Sequence, residues 1–242
     1  MANLIIDIGS LSVKAAWAEG VELGKSYRYQ GYRVAEFVSR ITSEAKAETT
    51  VVASDTPVQG DLYSVLSENS KELILPQDFF CAGIDFGEAF ESLSPARKAS
   101  LIAAAYYFPR QPVSVFDFGA MINIDLIDGH GKYLGGALSP GLRTRYKAVN
   151  RYSKNLPLLK TQDSFKEIGM SIEESIDAGI NSGIIFEIEG YLRKYPENIN
   201  IFTGGDANFF ASKMKRPIFA ICNLVLTGLA LIACHYDFKG IA

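Results

Sequence analysis

The sequence predicts an α/β fold made from two copies of one supersecondary unit. Two observations carry this reading. "LIIDIGSLSVKAAW" (4–17) and "VSVFDFGAMINIDLI" (113–127) repeat one order of apolar strand, Asp-x-Gly turn and returning strand. Elsewhere, short β-rich runs alternate with stretches of helical period instead of clustering by type. Two copies point to duplication of a half rather than a solenoid, dividing the chain at 1–110 and 111–242.

Residues 3–30 read as a three-strand meander: "NLIIDI", a bend at "GS", "SVKAAWAE", a turn near Gly20, and "VELGKSYRY" with partial alternation. Helices are expected from Tyr32 to Ile41 and from Gly60 to Ser67, around the strand "TTVVAS" (49–54). After the irregular stretch "GIDFGEAFESLSP" (83–95), a helix runs from Pro95 to Phe108. Ser94 supplies its capping oxygen, and Pro95 suits the first turn, where an N–H has no partner to lose. "RQP" stops that helix. The second meander follows, with its Gly-rich turn at Asp128 to Gly131.

Helices are then predicted at 141–152 and 171–194. In the longer one, Ile172, Ile176, Ile180, Ile184, Ile188 and Leu192 recur on one broad face. Ser171 and Glu174 have capping-box spacing at its start. "NINIFTGGDA" (198–207) reads as a strand ending in a Gly-Gly-Asp turn, and two short helices close the chain. The last, "LVLTGLALIAC" (224–234), is shorter than the roughly 20 residues that span a bilayer, so it is expected to be a buried helix.

Composition limits the partners. The formal net charge is −3 and the basic residues are scattered singly, which excludes a nucleic-acid footprint and a polybasic membrane patch. Cys81, Cys222 and Cys234 are odd in number and lack metal-ligand spacing, as expected of reduced thiols in a cytoplasmic protein. No secretion signal precedes the first strand. His130 reads as an exposed turn residue and His235 as a boundary residue; neither has a Ser or Cys partner suggesting a triad. Tyr106 and Tyr107 read as packing at a helix end.

The chemistry lies in the turns. Gly between two strands lets backbone N–H groups approach phosphate oxygens, and an Asp at the strand end adds a hard oxygen acceptor suited to Mg²⁺. One such turn serves hairpin geometry alone. Two copies plus a later "TGGDA" turn point to a phosphate clamp formed by duplicated halves, with Asp7 and Asp117 expected to face one cleft.

The ordered motifs resemble the acetate kinase, sugar kinase, Hsp70 and actin superfamily, with its duplicated ribonuclease H-like halves. More narrowly, they resemble type III pantothenate kinase, the family that includes the Bvg accessory factor proteins. The resemblance rests on "VFDFGAMINIDLIDGHGKYLGGALSPGLRTRYKAVNRYSKNLPLL" (115–159), with "LIIDIGSLSVK", "GMSIEESIDAGINSG" (169–183), "FTGGDA" (202–207) and "NLVLTGL" (223–229). It implies ATP-dependent phosphorylation of pantothenate to 4'-phosphopantothenate, the first step of coenzyme A synthesis. It also implies a homodimer with the acceptor site at the subunit interface, ATP with Mg²⁺, and a monovalent cation, K⁺ or NH₄⁺. Matched by position, Asp7, Gly9 and Ser10 form the first phosphate turn, Asp117 and Gly119 the second, and Gly204, Gly205 and Asp206 the nucleotide-side loop. Asp7 and Asp117 would be the metal ligands. Lys14 also matches, although an isolated Lys on a strand is more often a solvated edge residue.

This chain departs from the family pattern. Ser10 and Leu11 replace Asn and Thr after the first Asp-x-Gly, and Ala120 replaces Thr after the second. In the Gly-x-Asp-Arg element opening the 95–108 helix, Arg97 retains the substrate-holding position, while Ala96 stands where the general base belongs. An alternative alignment on "GIDF" makes Gly83 an acceptor contact and Asp85 the base, with Phe86 at the Arg position. Ile172 falls where the family has an acceptor-contacting Thr. Three functions follow: a diverged pantothenate kinase, a catalytically inactive paralogue that pairs with an active homologue or a regulator, and a kinase for another small hydroxyl compound.

Overall fold

The computed structural model describes residues 2–80, 83–161 and 164–234; Cys81 and His235 lie outside these. The chain forms two compact units. Among the described residues, the first comprises 2–110, Gly131–Tyr133 and 223–234; the second comprises Gln111–His130 and Leu134–Cys222.

The first unit holds β1 (Asn3–Ile8), β2 (Val13–Glu19), β3 (Glu22–Tyr29), β4 (Ala47–Ser54) and β5 (Ser70–Ile74), in the sheet order β3-β2-β1-β4-β5. The expected meander is antiparallel, and β4 and β5 add in parallel on its far side. Strand β1 is therefore central, and it is buried on both faces because successive side chains alternate. Leu4 and Ile6 join the cluster containing Phe37, Val38 and Ile41 of helix α1 (Val34–Ile41) and Leu66 of α2 (Gly60–Glu68). Ile5, fully buried, points to the opposite face. Helices α3 (Pro95–Tyr107) and the C-terminal Leu224–Ala233 helix pack closely on each other within this unit, and the latter contacts β1 and β4.

The second unit repeats the plan. β6 (Val113–Phe118), β7 (Met121–Ile127), β8 (Tyr133–Pro140), β9 (Ile199–Gly204) and β10 (Phe219–Ala220) have the order β10-β9-β6-β7-β8. Read from the meander outward, this is the first sheet again, with β6 in the place of β1 and β9 in that of β4. Phe116, Phe118, Ile122 and Ile124 fill a core with Tyr146 of α4 (Leu142–Tyr152), Ile180 and Ile184 of α5 (Ile172–Lys194), and Phe210 of α6 (Ala207–Ala211). The final helix, α7 (Leu224–Ala233), is buried along its whole length, as its composition required.

Two expectations change. Ile172 is 57% exposed, whereas Ile180, Ile184, Ile188 and Leu192 are buried. A spacing of four overshoots a full turn by about 40° per step, so a run of six positions wanders off any single face. Lys14 is not an edge residue, because β2 lies between β3 and β1, with Lys14 directly opposite Asp7. Elsewhere His130 is an exposed turn residue, and Tyr107 packs beside Tyr106 with its hydroxyl 3.4 Å from Thr227 Oγ1. Two short strands, β5 and β10, escaped the sequence reading. No helix among the described residues is long and apolar enough to cross a membrane.

Close contact between α3 and α7 depends on Gly228, where a Cβ would lie 1.8 Å from Ala99 O and 2.4 Å from Ala99 C. Both obstacles are backbone and cannot rotate away. Gly228→Ala should therefore destabilise the first unit by about 1–3 kcal/mol, lowering the midpoint in a calorimetric melt by several degrees. An unchanged melting profile would contradict this packing account.

Candidate active site

Asp7 is the penultimate residue of β1 and Asp117 the penultimate residue of β6, the central strands of their sheets. Alternation puts each on the face opposite the core phenylalanine or isoleucine beside it, and both are half-buried. Asp7 lies across from Lys14 on β2 and Ala53 on β4; Asp117 lies across from Asn123 on β7 and Thr203 on β9. Each acid stands near the carboxyl end of its strand, the edge at which α/β sheets usually bind ligands.

The first turn runs from Gly9 to Ser12 and is closed by the Gly9 N–H donating to Ser12 O at 3.1 Å. Gly9, Ser10 and Leu11 are exposed, so Leu11 presents an apolar side chain to water. The second turn is tighter. Gly119 N–H donates to Met121 O at 3.0 Å, and the Ala120 carbonyl accepts from Gly141 N–H at 2.9 Å and Thr144 Oγ1 at 2.6 Å. This seats the turn on the first residues of α4. A Cβ on Gly141 would lie 2.2 Å from Gly119 O, so only glycine permits that approach.

The Gly-Gly-Asp turn closes on the same spot within the second unit. Gly205 N–H donates to Phe118 O at 2.9 Å, and Asp206 N–H reaches the same oxygen at 3.4 Å. Gly204 has φ of +92°, and a Cβ there would lie 2.5 Å from Asp117 Oδ1. Asp117, Gly119, Gly204, Gly205 and Asp206 thus form one constellation, joined by Gly141, Arg143 and Thr144 at the start of α4. Burial pushes the Asp206 carboxyl above its ordinary range, while the charge of Arg143 draws it back. The "SPGL" run carried the signal for Gly141; nothing local marked Arg143 or Thr144.

Gly83, Asp85, Ala96 and Arg97, expected on the acceptor side, all lie in the first unit. Ser94 Oγ accepts the Arg97 N–H at 3.4 Å, capping α3 as expected. Ala96 and Arg97 lie in its first turn, and Arg97 Nη2 donates to Tyr133 Oη at 3.2 Å. Asp85 pairs through its backbone with the segment around Lys132: its N–H donates to Gly131 O at 3.0 Å, and Tyr133 N–H donates to Asp85 O at 2.9 Å. Its exposed side chain accepts the Gly87 N–H at 3.0 Å, shaping the turn into a short 3₁₀ segment, Gly87–Phe90. Gly83, with φ of +84°, lies against Gly131, where a Cβ would meet Gly83 O at 3.6 Å. Nothing in the sequence marked Tyr133 as the partner of Arg97.

These donors fit a magnesium nucleotide. Mg²⁺ bound with phosphates needs only one or two protein carboxylates, and no group of three or more potential metal-ligating side chains occurs among the described residues. Backbone left open by Gly204 and Gly205 is the kind of cradle that a phosphate fills.

Comparison with known proteins identifies the family. The family model for type III pantothenate kinase matches residues 3–194. The chain is 31% identical over 233 residues to a type III pantothenate kinase of Flavobacterium johnsoniae, covering 94% of this chain and 95% of the other. It is 32% identical over 240 residues to that of Phocaeicola vulgatus, covering 97% and 99%. Among solved structures, a Baf family protein from Campylobacter jejuni matches with a TM-score of 0.65 at 21% identity, covering 96% of this chain and 98% of that one. The ADPNP-bound activator of 2-hydroxyisocaproyl-CoA dehydratase from Clostridium difficile matches with a TM-score of 0.57 at 14% identity, covering 98% and 94%. These structures share the actin-like fold that the duplicated strand order describes. With its motifs in family order along nearly its whole length, the chain belongs to the type III pantothenate kinase family.

Proposed function

We propose that this chain is a slow ATP-dependent pantothenate kinase whose nucleotide turns are better preserved than its acceptor chemistry. The observation that carries this reading is the contrast between the closed Asp117, Gly204–Asp206 and Gly141 constellation and the methyl group of Ala96 beside Arg97.

In the second unit Asp117 would hold the magnesium and the Gly119 turn would present its N–H to the phosphates; in the first unit Asp7, with Lys14 opposite it, and the Gly9–Ser10 turn offer the matching acid and N–H groups. Gly204, Gly205 and Asp206 line the nucleotide side. Mg²⁺ supplies charge neutralisation of the phosphates when bound. Arg97 holds the pantothenate carboxylate, held in turn by Tyr133. Phosphoryl transfer draws most of its acceleration from positioning and charge stabilisation, while general-base assistance adds about 10²–10⁴-fold. A chain lacking only the base carboxylate therefore keeps measurable turnover. Asp85 is the substitute base nearest in sequence, but its Oδ1 is engaged by the Gly87 N–H, which ties the side chain to its own turn.

The active form in this reading is a cytoplasmic homodimer that uses K⁺ or NH₄⁺. Leu134 and Leu138, 53% and 58% exposed on the edge strand β8, and Phe186 of α5, 66% exposed, support a self-association surface. The loss at Ala96 favours a second reading, an inactive partner of an intact homologue, which co-purification with such a homologue would reveal.

Two expectations test the assignment. Asp117→Asn should weaken magnesium-nucleotide binding in calorimetric titration by roughly 10- to 100-fold, the scale of one charge-assisted contact. Unchanged affinity would remove Asp117 from the site. In a coupled assay with pantothenate, ATP and potassium or ammonium, Ala96→Asp should raise kcat by about 10²–10⁴-fold, and Asp85→Asn should change it by less than about 10-fold. A large loss on Asp85→Asn, with no gain on Ala96→Asp, would transfer the base role to Asp85.

A further inference from the structure

Helix α4 begins badly by ordinary rules. Its cap residue is Gly141, which has no side-chain oxygen to offer the free N–H groups, and its first turn holds Arg143 but no acid, the wrong sign for the positive end of a helix dipole. The strand that feeds it, β8, lies at the edge of the sheet and ends in Pro140, which has no N–H to donate to a ladder. Chain of this kind is expected to fray. Yet this segment closes the second turn, since Gly141 N–H and Thr144 Oγ1 both donate to Ala120 O.

Arg145 holds it in place. Its Nε donates to Pro140 O at 2.8 Å and its Nη2 to Ser139 Oγ at 3.3 Å, so one guanidinium ties the last two residues of β8 to the start of α4. Nη2 also donates to Glu187 Oε2 of α5, an ion pair whose side chains are 22% and 23% exposed. Gly183, one turn earlier on α5, leaves the approach open: an added Cβ would lie 3.7 Å from Arg145 Nη1. A planar fork bonded at both ends acts as a rigid brace, because each hydrogen bond is fixed in direction. A second tie joins the same helices one residue on. Tyr146, 2% exposed, donates its hydroxyl to Asp177 Oδ1 and accepts from Asn181 Nδ2 at 2.9 Å, so this tie ends on α5 rather than on residues 139–141.

We propose that Arg145 is a positioning residue for the magnesium nucleotide: pinned by Glu187, it sets Pro140 and Gly141 against the Gly119–Ala120 turn and so fixes the turn that faces the phosphates. It touches no phosphate itself and acts through Gly141. This rests on the assignment of nucleotide phosphates to the second unit and extends it to a pair, Arg145 and Glu187, outside the Asp-x-Gly and Gly-Gly-Asp turns. Because the brace serves the nucleotide and not the acceptor, its loss shows in ADPNP affinity and in KM for ATP, while KM for pantothenate stays in place.

The test is isothermal titration of the full chain with magnesium ADPNP, beside coupled-assay kinetics and a calorimetric melt. Arg145→Met should weaken ADPNP binding by about 10-fold, the scale of lost charge-assisted hydrogen bonds, and raise KM for ATP in parallel, with KM for pantothenate unchanged. Arg145→Lys should not restore it, since a single ammonium cannot span Pro140 O, Ser139 Oγ and Glu187 as the fork does. Tyr146→Phe, which breaks the buried tie alone, should lower the melting temperature and leave ADPNP affinity at the wild-type value. Wild-type affinity in Arg145→Met or in Arg145→Lys overturns the proposal. So does an affinity that falls in step with melting temperature in both Arg145→Met and Tyr146→Phe, the mark of a merely structural contact. Should Arg145→Met fail to fold, Glu187→Gln, which unpins the guanidinium without emptying its place, is read by the same comparison. No ADPNP binding by the wild type would overturn the nucleotide reading itself, a failure distinct from an unchanged affinity in the variant.

Discussion

Gly204 turns through a left-handed φ with its Cα against the Asp117 carboxylate and the Phe118 backbone, leaving room for a hydrogen and nothing larger. The second unit is organised around that contact. It draws the end of β9 onto the end of β6, directs the Gly205 and Asp206 N–H groups to the Phe118 carbonyl, and fixes the carboxylate beside open backbone. Gly141 makes a comparable approach from the start of α4. Two glycines thus let three chain segments meet around one acid, a density of backbone dipoles that suits polyphosphate.

Duplication preserved the sheet order but not the decoration. In the first unit, β1 ends in a looser turn, and the end of β4 carries Ser54, whose hydroxyl donates to Thr56 O at 2.7 Å, where the end of β9 has its glycine pair. The same scaffold has been specialised differently in each copy: the second closes on a carboxylate, while the first joins Arg97 of α3 to Tyr133. Identical topology with divergent strand ends is what separates the roles of two halves descended from one.

Much of the fold was legible because burial writes itself as periodicity. The two meanders, the capped start of α3 and the wholly apolar α7 were readable from composition and spacing alone. β5 and β10 were not, since a strand of two or five residues is too short for alternation to register. Ile172 misled because a run at every fourth position looks like a stripe but spirals. At the site, the Asp-x-Gly and Gly-Gly-Asp turns were legible as local chemistry. The Arg97–Tyr133 bond was not, because it joins residues 36 positions apart.

The last helix completes the first sheet. Since α7 covers β1 and β4 and meets α3 through Gly228, the amino-terminal unit lacks a wall until residues 224–233 have been made. On the ribosome, β1 to α3 must wait with an uncovered apolar face while the intervening unit, whose strands and helices are already present, can collapse. Biosynthesis therefore reverses the order of the chain: the half translated later is free to mature earlier. A truncation of even one helix at the carboxyl end would injure the half farthest from it in sequence.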